Sequence, residues 1–172
     1  IRFNHASIRQ AGNVTQAFLK LDFINNKKHI LSTLALSKNI EEDNALIKKT
    51  IEKVRSQLDF IPEDPYLNFN ENPIALDFEE ESNLPKTSDL ISSITTQTKN
   101  LDFVGILATG NICRAFASSL GQKCWHSKNS FNLDFSSYLK ADLAVKNNYS
   151  GTTWNEKKLL DKLEETKKHL TA

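Results

Sequence analysis

The sequence predicts an α+β fold, a largely antiparallel β-sheet with two or three flanking helices in the order β-β-β-α-α-β-β-β-β-α. Three observations carry this. Apolar residues alternate at period two near the start of the chain and again from Phe103 onward; between Asn39 and Ile61 they recur at steps of three and four; and the two kinds of segment are grouped rather than interleaved. At 172 residues the chain can bury a real core, since a chain of about 150 residues hides roughly 70% of its unfolded surface. A single α+β domain over residues 1–172 is expected.

Taken in order, the runs IRFN and SIRQAG start the sheet. In VTQAFLKLDFI, residues 14–24, Leu19, Leu21 and Phe23 alternate with Lys20 and Asp22, and HILSTLALS supplies the partner strand. Asn25-Asn26 between them tolerates the positive φ of a tight hairpin turn. Ile47, Ile51, Val54, Leu58 and Ile61 then mark one face of a helix, capped by Asn39 with Glu42 at the capping-box position, and ended by Pro62. Glu41 and Asp43 suit its positive end.

Residues 62–86 hold all four prolines, and from residue 56 to 85 the acids Asp59, Glu63, Asp64, Glu71, Asp77, Glu79, Glu80 and Glu81 meet no Lys or Arg. This predicts a long solvated crossing loop, either functional or packed down by Tyr66, Phe69 and Phe78. A second helix follows from Thr87 or Ser88 to about Asn100 with Leu90, Ile91 and Ile94 inward. Strands at about 102–109, 111–119, 122–127, 131–139 and 141–149 form a meander, in which Phe131, Leu133 and Phe135 alternate with Asn132, Asp134 and Ser136. A helix from Asn155 to about Leu170 closes the chain, with Thr153 and Glu156 as a second capping box and Leu159, Leu160, Leu163 and Leu170 as its stripe.

The composition narrows the function. A net charge of +1 offers no basic footprint for nucleic acid. No window approaches the 18 or so apolar residues of a membrane helix, and no charged-then-apolar signal opens the chain. Two cysteines, Cys113 and Cys124, are too few for a disulfide framework and suit a reducing compartment, so a soluble cytoplasmic protein is expected. The chain starts at Ile1 inside a strand-like run and contains no Met, which suggests a piece of a longer protein.

The stretch GILATGNICRAFASSLGQ, residues 105–122, raises the question of a phosphate loop because Gly105 and Gly110 are spaced like its glycines. A P-loop needs Lys and a hydroxyl after the last glycine, then a helix; Asn111 and Ile112 follow Gly110, and the pattern after them is a strand. Gly110-Asn111 is instead expected to be a hairpin turn, and Ser119 to Gln122 a second one, which sets Cys124 opposite Ala117 and Cys113 opposite Lys128 and joins no disulfide.

The histidines His5, His29, His126 and His169 lack the i, i+4 helical spacing of a zinc site, and Cys124 with His126 gives two ligands on one strand face without a third. Ser118, Ser119, Ser136 and Ser137 sit on strand patterns without a GxSxG elbow, and Glu79 to Glu81 are adjacent loop acids not held at a working separation. Trp125 with His126, and Tyr149 to Trp154, are expected to be core and rim rather than a base-stacking platform. No catalytic, cofactor-binding or metal-binding residue is assigned in this chain.

IRFNHASIRQAGNV, DFVGILATGNICRAFASSLGQKCWHSKNSFNLDF and NNYSGTTW, taken together and in order, resemble the N-terminal domain of the TldD/PmbA peptidase family, also called modulator of DNA gyrase. The shared pattern is an RF.N..I.Q opening and a G....G......ANS.G hairpin followed by a polar strand. Gly105, Gly110, Ala117, Ser118, Ser119 and Gly121 stand at its positions, with Ser118 where Asn is usual. The resemblance implies a two-domain cytoplasmic protein working as a homodimer or paired heterodimer of such subunits on peptide substrates. It also implies zinc on a HExxxH helix in the C-terminal part of active members, a motif that PmbA-like partners lack. This chain has no HExxxH, so no catalytic residue is carried over, and the domain is expected to be non-catalytic. The alternative is a stand-alone α+β module that binds a peptide or protein, capturing an extended peptide along a sheet edge.

Overall fold

The computed structural model describes residues 1–140 and 143–171. The chain divides into two units, Ile1–Gly12 with Asn72–Ala172, and Asn13–Glu71. The elements in chain order are β1 (Arg2–Asn4), β2 (Ser7–Gln10), β3 (Phe18–Asn25), β4 (Lys28–Ala35), α1 (Ile40–Leu58), β5 (Ala75–Glu80), α2 (Thr87–Thr98), β6 (Asp102–Ala117), β7 (Lys123–Lys140), β8 (Leu143–Gly151) and α3 (Glu156–Leu170). The class is α+β, with a mostly antiparallel sheet and three helices among the described residues.

In the first unit the alternation of Phe131, Leu133 and Phe135 sets one buried face of the sheet. Cross-strand partners share a face, so Thr109, Leu107 and Gly105 of β6 and Gly151, Tyr149 and Asn147 of β8 lie on that side. Leu90 and Ile94 of α2 and Leu159 and Leu163 of α3 close over it, and Phe3 joins the same cluster. Each such fully buried side chain contributes roughly 1.5–3 kcal/mol relative to exposure. Phe131, Tyr149 and Trp154 pack with ring centroids 4.8–5.1 Å apart, so Tyr149 is core and Trp154 half-buried rim. The Tyr149 hydroxyl donates to the Asn155 carbonyl at 3.1 Å and accepts from the Asn155 N–H at 2.8 Å, which ties the start of α3 to the core.

The strand order is β2-β1-β6-β7-β5, with β8 also on β7. Because β6 runs along nearly all of β7, the other side of β7 is divided: β5 pairs in parallel with Lys123–Lys128, and β8 antiparallel from Phe131 to Lys140. The predicted strand at 141–149 corresponds to β8; its first two positions, Ala141 and Asp142, lie outside the described residues.

Gly110-Asn111 is not a turn. It lies inside β6, where Gly110 pairs with Ser130 and Asn111 with Asn129, so the expected strands 102–109 and 111–119 are one strand of 16 residues. Likewise 122–127 and 131–139 are one strand. A two-residue turn at Gly110-Asn111 would put Arg114 opposite Leu107 on the buried face; the continuous hairpin sets Leu107 against Leu133 and keeps Arg114 exposed. The turn lies at Ser118–Gln122, closed by Ser118 N–H to the Gln122 carbonyl at 3.1 Å, with Gly121 at φ 91°. It is one residue longer than predicted, so Cys124 faces Phe116 and Cys113 faces Ser127. The two cysteines therefore point to opposite faces of the sheet.

The acid-rich stretch is not all loop. Ala75–Glu80 forms β5, whose backbone pairs with β7 while Leu76 and Phe78 stay 55% and 50% exposed. Tyr66, Phe69 and Phe78 do not pack it down, since Tyr66 is 89% exposed and Phe69 42%. Backbone pairing rather than side-chain burial holds the segment, which is why the acid run masked it.

In the second unit β3 and β4 form a hairpin from Phe18↔Ala35 to Asn25↔Lys28, with Leu19, Leu21 and Phe23 half-buried as their alternation requires. The turn is one residue beyond the prediction: Asn25 is paired, and Asn26 takes the positive φ, 54°. Along α1, Val54 and Leu58 are buried and Ile47 and Ile51 half-buried; the helix ends at Leu58 with Asp59 as its C-cap, so Ile61, expected on the helical face, is half-buried in the bend that follows it. Asn39 caps α1 by accepting from the Glu41 and Glu42 N–H groups at 3.0 and 3.4 Å. Asp43 turns back to accept from the Ser37 and Lys38 N–H groups at 2.8 and 3.0 Å.

α3 is capped by Asn155, which accepts from the Lys158 N–H at 3.1 Å, and not by Thr153, which bridges to Asn83. Its stripe also differs. Leu159 and Leu163 are buried, but Leu160 is 40% exposed and Thr166 takes the next inward place.

Candidate functional site

The residues whose types suggest chemistry lie in separate places. Gly105 lies on the buried face of β6, Gly110 in mid-strand, and Ser118, Ser119 and Gly121 at the turn, so these residues form no anion-binding loop before a helix. Cys124 and His126 do share a face of β7, but His126 Nε2 meets Glu80 Oε2 at 3.4 Å and its ring stacks on Phe78 at 5.6 Å. His5 pairs with Asp102 at 2.8 Å and His29 with Asp22 at 3.3 Å. Among the described residues no group of three or more His, Cys, Asp or Glu side chains could hold a metal ion.

The acids expected in a loop are held in β5, where Glu79 and Glu80 point to opposite faces. Of the serines expected on solvated faces, Ser137 is buried, 1% exposed, and its Oγ has no hydrogen-bond partner among the described residues. Trp125 is 46% exposed on the outer part of β7. No helix among the described residues is long and apolar enough to cross a membrane.

What the fold does bring together is the outer half of the β6–β7 hairpin. Ile1 and Leu107 exchange N–H···O bonds in both directions at 2.9 Å, and Ala6 donates to the Phe103 carbonyl at 3.0 Å. Odd-numbered residues of β6 therefore turn their backbone groups away from β7, as antiparallel pairing dictates. Beyond Leu107 no described strand covers that edge. Thr109, Asn111, Cys113, Ala115 and Ala117 direct their N–H and C=O groups outward along it.

The side chains on the exposed face form three rows across β6, β7 and β5: Ile112–Lys128–Glu80, Arg114–His126–Phe78 and Phe116–Cys124–Leu76. Glu80 also stands 3.8 Å from Lys128 Nζ, so the one acid of the patch faces both His126 and Lys128. Arg114, on the outermost strand, has no ion pair among the described residues. Ile112 and Phe116 beside it are 47% and 57% exposed. The alternation Ile112, Arg114, Phe116 is present in the sequence; the two glycines near it suggest a turn and conceal a continuous edge.

No protein family, curated protein or solved structure matches this chain. The segments that carry the resemblance form β1, β2, β6, the β6–β7 turn, most of β7 and the end of β8.

Proposed function

We propose that this chain is the non-catalytic N-terminal domain of a TldD/PmbA-like protein, itself a cytoplasmic zinc metallopeptidase or its metal-free partner subunit, and that it holds extended polypeptide by strand addition. The observation that carries the peptide-holding role is the bare outer edge of β6 from Ala108 to Ala117. Native edges are blunted by charges, Pro or bulges, and this one has a regular register, no Pro and a single charge, Arg114. An extended peptide laid there would find five outward N–H and five outward C=O groups, the main-chain complement that strand addition uses. The placement of the resembling segments within one sheet supports the family setting.

The same edge serves a second reading, a stand-alone peptide-binding module. The two differ in the full-length sequence after residue 172. A further domain with HExxxH marks a peptidase, a matching domain without it marks the partner subunit, and a natural stop at Ala172 sinks the family assignment. Strand addition is tested by amide exchange with an extended ten-residue peptide of alternating Val and Thr. Binding should slow exchange at Thr109, Asn111, Cys113, Ala115 and Ala117; unchanged rates at saturating peptide would exclude it.

A further inference from the structure

We infer that the strand accepted by β6 carries an acidic side chain with an apolar residue two positions to either side of it. This rests on strand addition at the β6 edge. A strand paired there sets one side chain directly opposite each of Ile112, Arg114 and Phe116 on the exposed face, with Cβ atoms about 4.5–5.5 Å apart. Opposite Ile112 and Phe116, apolar groups cover surface that is now 47% and 57% exposed. Opposite Arg114, the choice is decided by charge. His126 lies across from Arg114 and Lys128 two residues along the same face, while Glu80 is held between those two at 3.4 and 3.8 Å. A carboxylate on the added strand gives the guanidinium the partner it lacks; a Lys there adds a fourth basic group to the face.

The required pattern, apolar-x-acid-x-apolar, is the same read in either direction. It therefore fits parallel and antiparallel addition equally, and selects peptides by composition at alternate positions rather than by polarity.

The test uses the full 172-residue chain and three labelled peptides built on Thr-Val-Thr-X-Thr-Val-Thr, with X as Glu, Gln or Lys, followed by fluorescence anisotropy. The Glu peptide should bind about threefold to fivefold tighter than the Gln peptide, the span of a good cross-strand charge pair, and the Lys peptide weakest. Arg114→Glu should invert the order. Cys113→Pro, which removes an outward N–H but no bond to β7, should abolish binding of all three, and Ala115→Pro provides the same check should the first variant misfold.

Equal binding of the three peptides, with loss in the proline variants, would overturn the acidic preference and leave strand addition standing. Absence of binding, or binding that both proline variants retain, would overturn both. Self-association that Cys113→Pro dissolves, with no peptide bound, would assign the edge to a second copy of the chain and equally overturn the inference.

Discussion

A methyl group added at Gly105 would stand 3.0 Å from Phe135 Cβ, 3.1 Å from the Asp134 carbonyl oxygen and 3.2 Å from a Phe103 ring carbon. None of these can yield, being backbone, a β-carbon and a ring 5.2 Å from its stacked neighbour. Gly105→Ala should therefore destabilise the first unit by about 1–3 kcal/mol, measured by urea denaturation. The sequence marks this glycine as a possible loop residue, yet its role is to admit two aromatic rings. Ser137 makes the opposite case. Its buried Oγ lacks a partner among the described residues, so Ser137→Ala should be neutral or stabilise by up to ~1 kcal/mol in the same assay, and a clear loss would require a hydrogen bond at that oxygen.

Asp43 is tuned by the Ser37 N–H first, then by the Ser37 hydroxyl and the Lys38 N–H, which hold its carboxyl below the usual carboxylate range. A lowered folded-state pKa means its stabilisation is present above the unfolded value and is lost as pH falls through the folded one. Protection of the Ser37 and Lys38 amides should therefore weaken only as pH falls below the ordinary carboxylate range, through the lowered folded-state pKa, and Asp43→Asn should flatten that acid dependence in an NMR titration.

Among the elements, the long helices and the alternating strands were legible because their periodicity is set by burial: the α1 stripe and the Leu19, Leu21, Phe23 face fall where the spacing puts them. β5 was not legible. Its partner is a backbone edge more than forty residues ahead, and nothing in Ala75–Glu80 except weak alternation records that pairing. The merged β6 escaped for a related reason, since glycine permits a turn without requiring one. The hairpin has its own signature in exchange. Even-numbered amides from Gly110 to Phe116 bond to β7 and should exchange slowly, while odd-numbered ones from Thr109 to Ala117 should exchange at least about tenfold faster. A uniform rate along the strand would mean that the outer edge is covered.

At the level of the whole molecule, the class and the mostly antiparallel sheet were readable from grouped periodicities, whereas the candidate site was not. Its parts are a cation, two apolar side chains and a row of backbone groups, and only the register of β5, β6 and β7 places them side by side. The first unit is also discontinuous in sequence: Ile1–Gly12 and Asn72–Ala172 are separated along the chain by the continuous segment Asn13–Glu71. That arrangement imposes a timetable on synthesis. Ile1 leaves the ribosome long before Leu107, its partner 106 residues away, so at roughly 5–20 residues per second β1 waits about 5–20 s for the strand it must join. The intervening segment has everything its own hairpin and helix need within that interval. The middle segment thus has all its own strand and helix partners first, while β1, which has β2 on one side, lacks its other neighbour until β6 emerges.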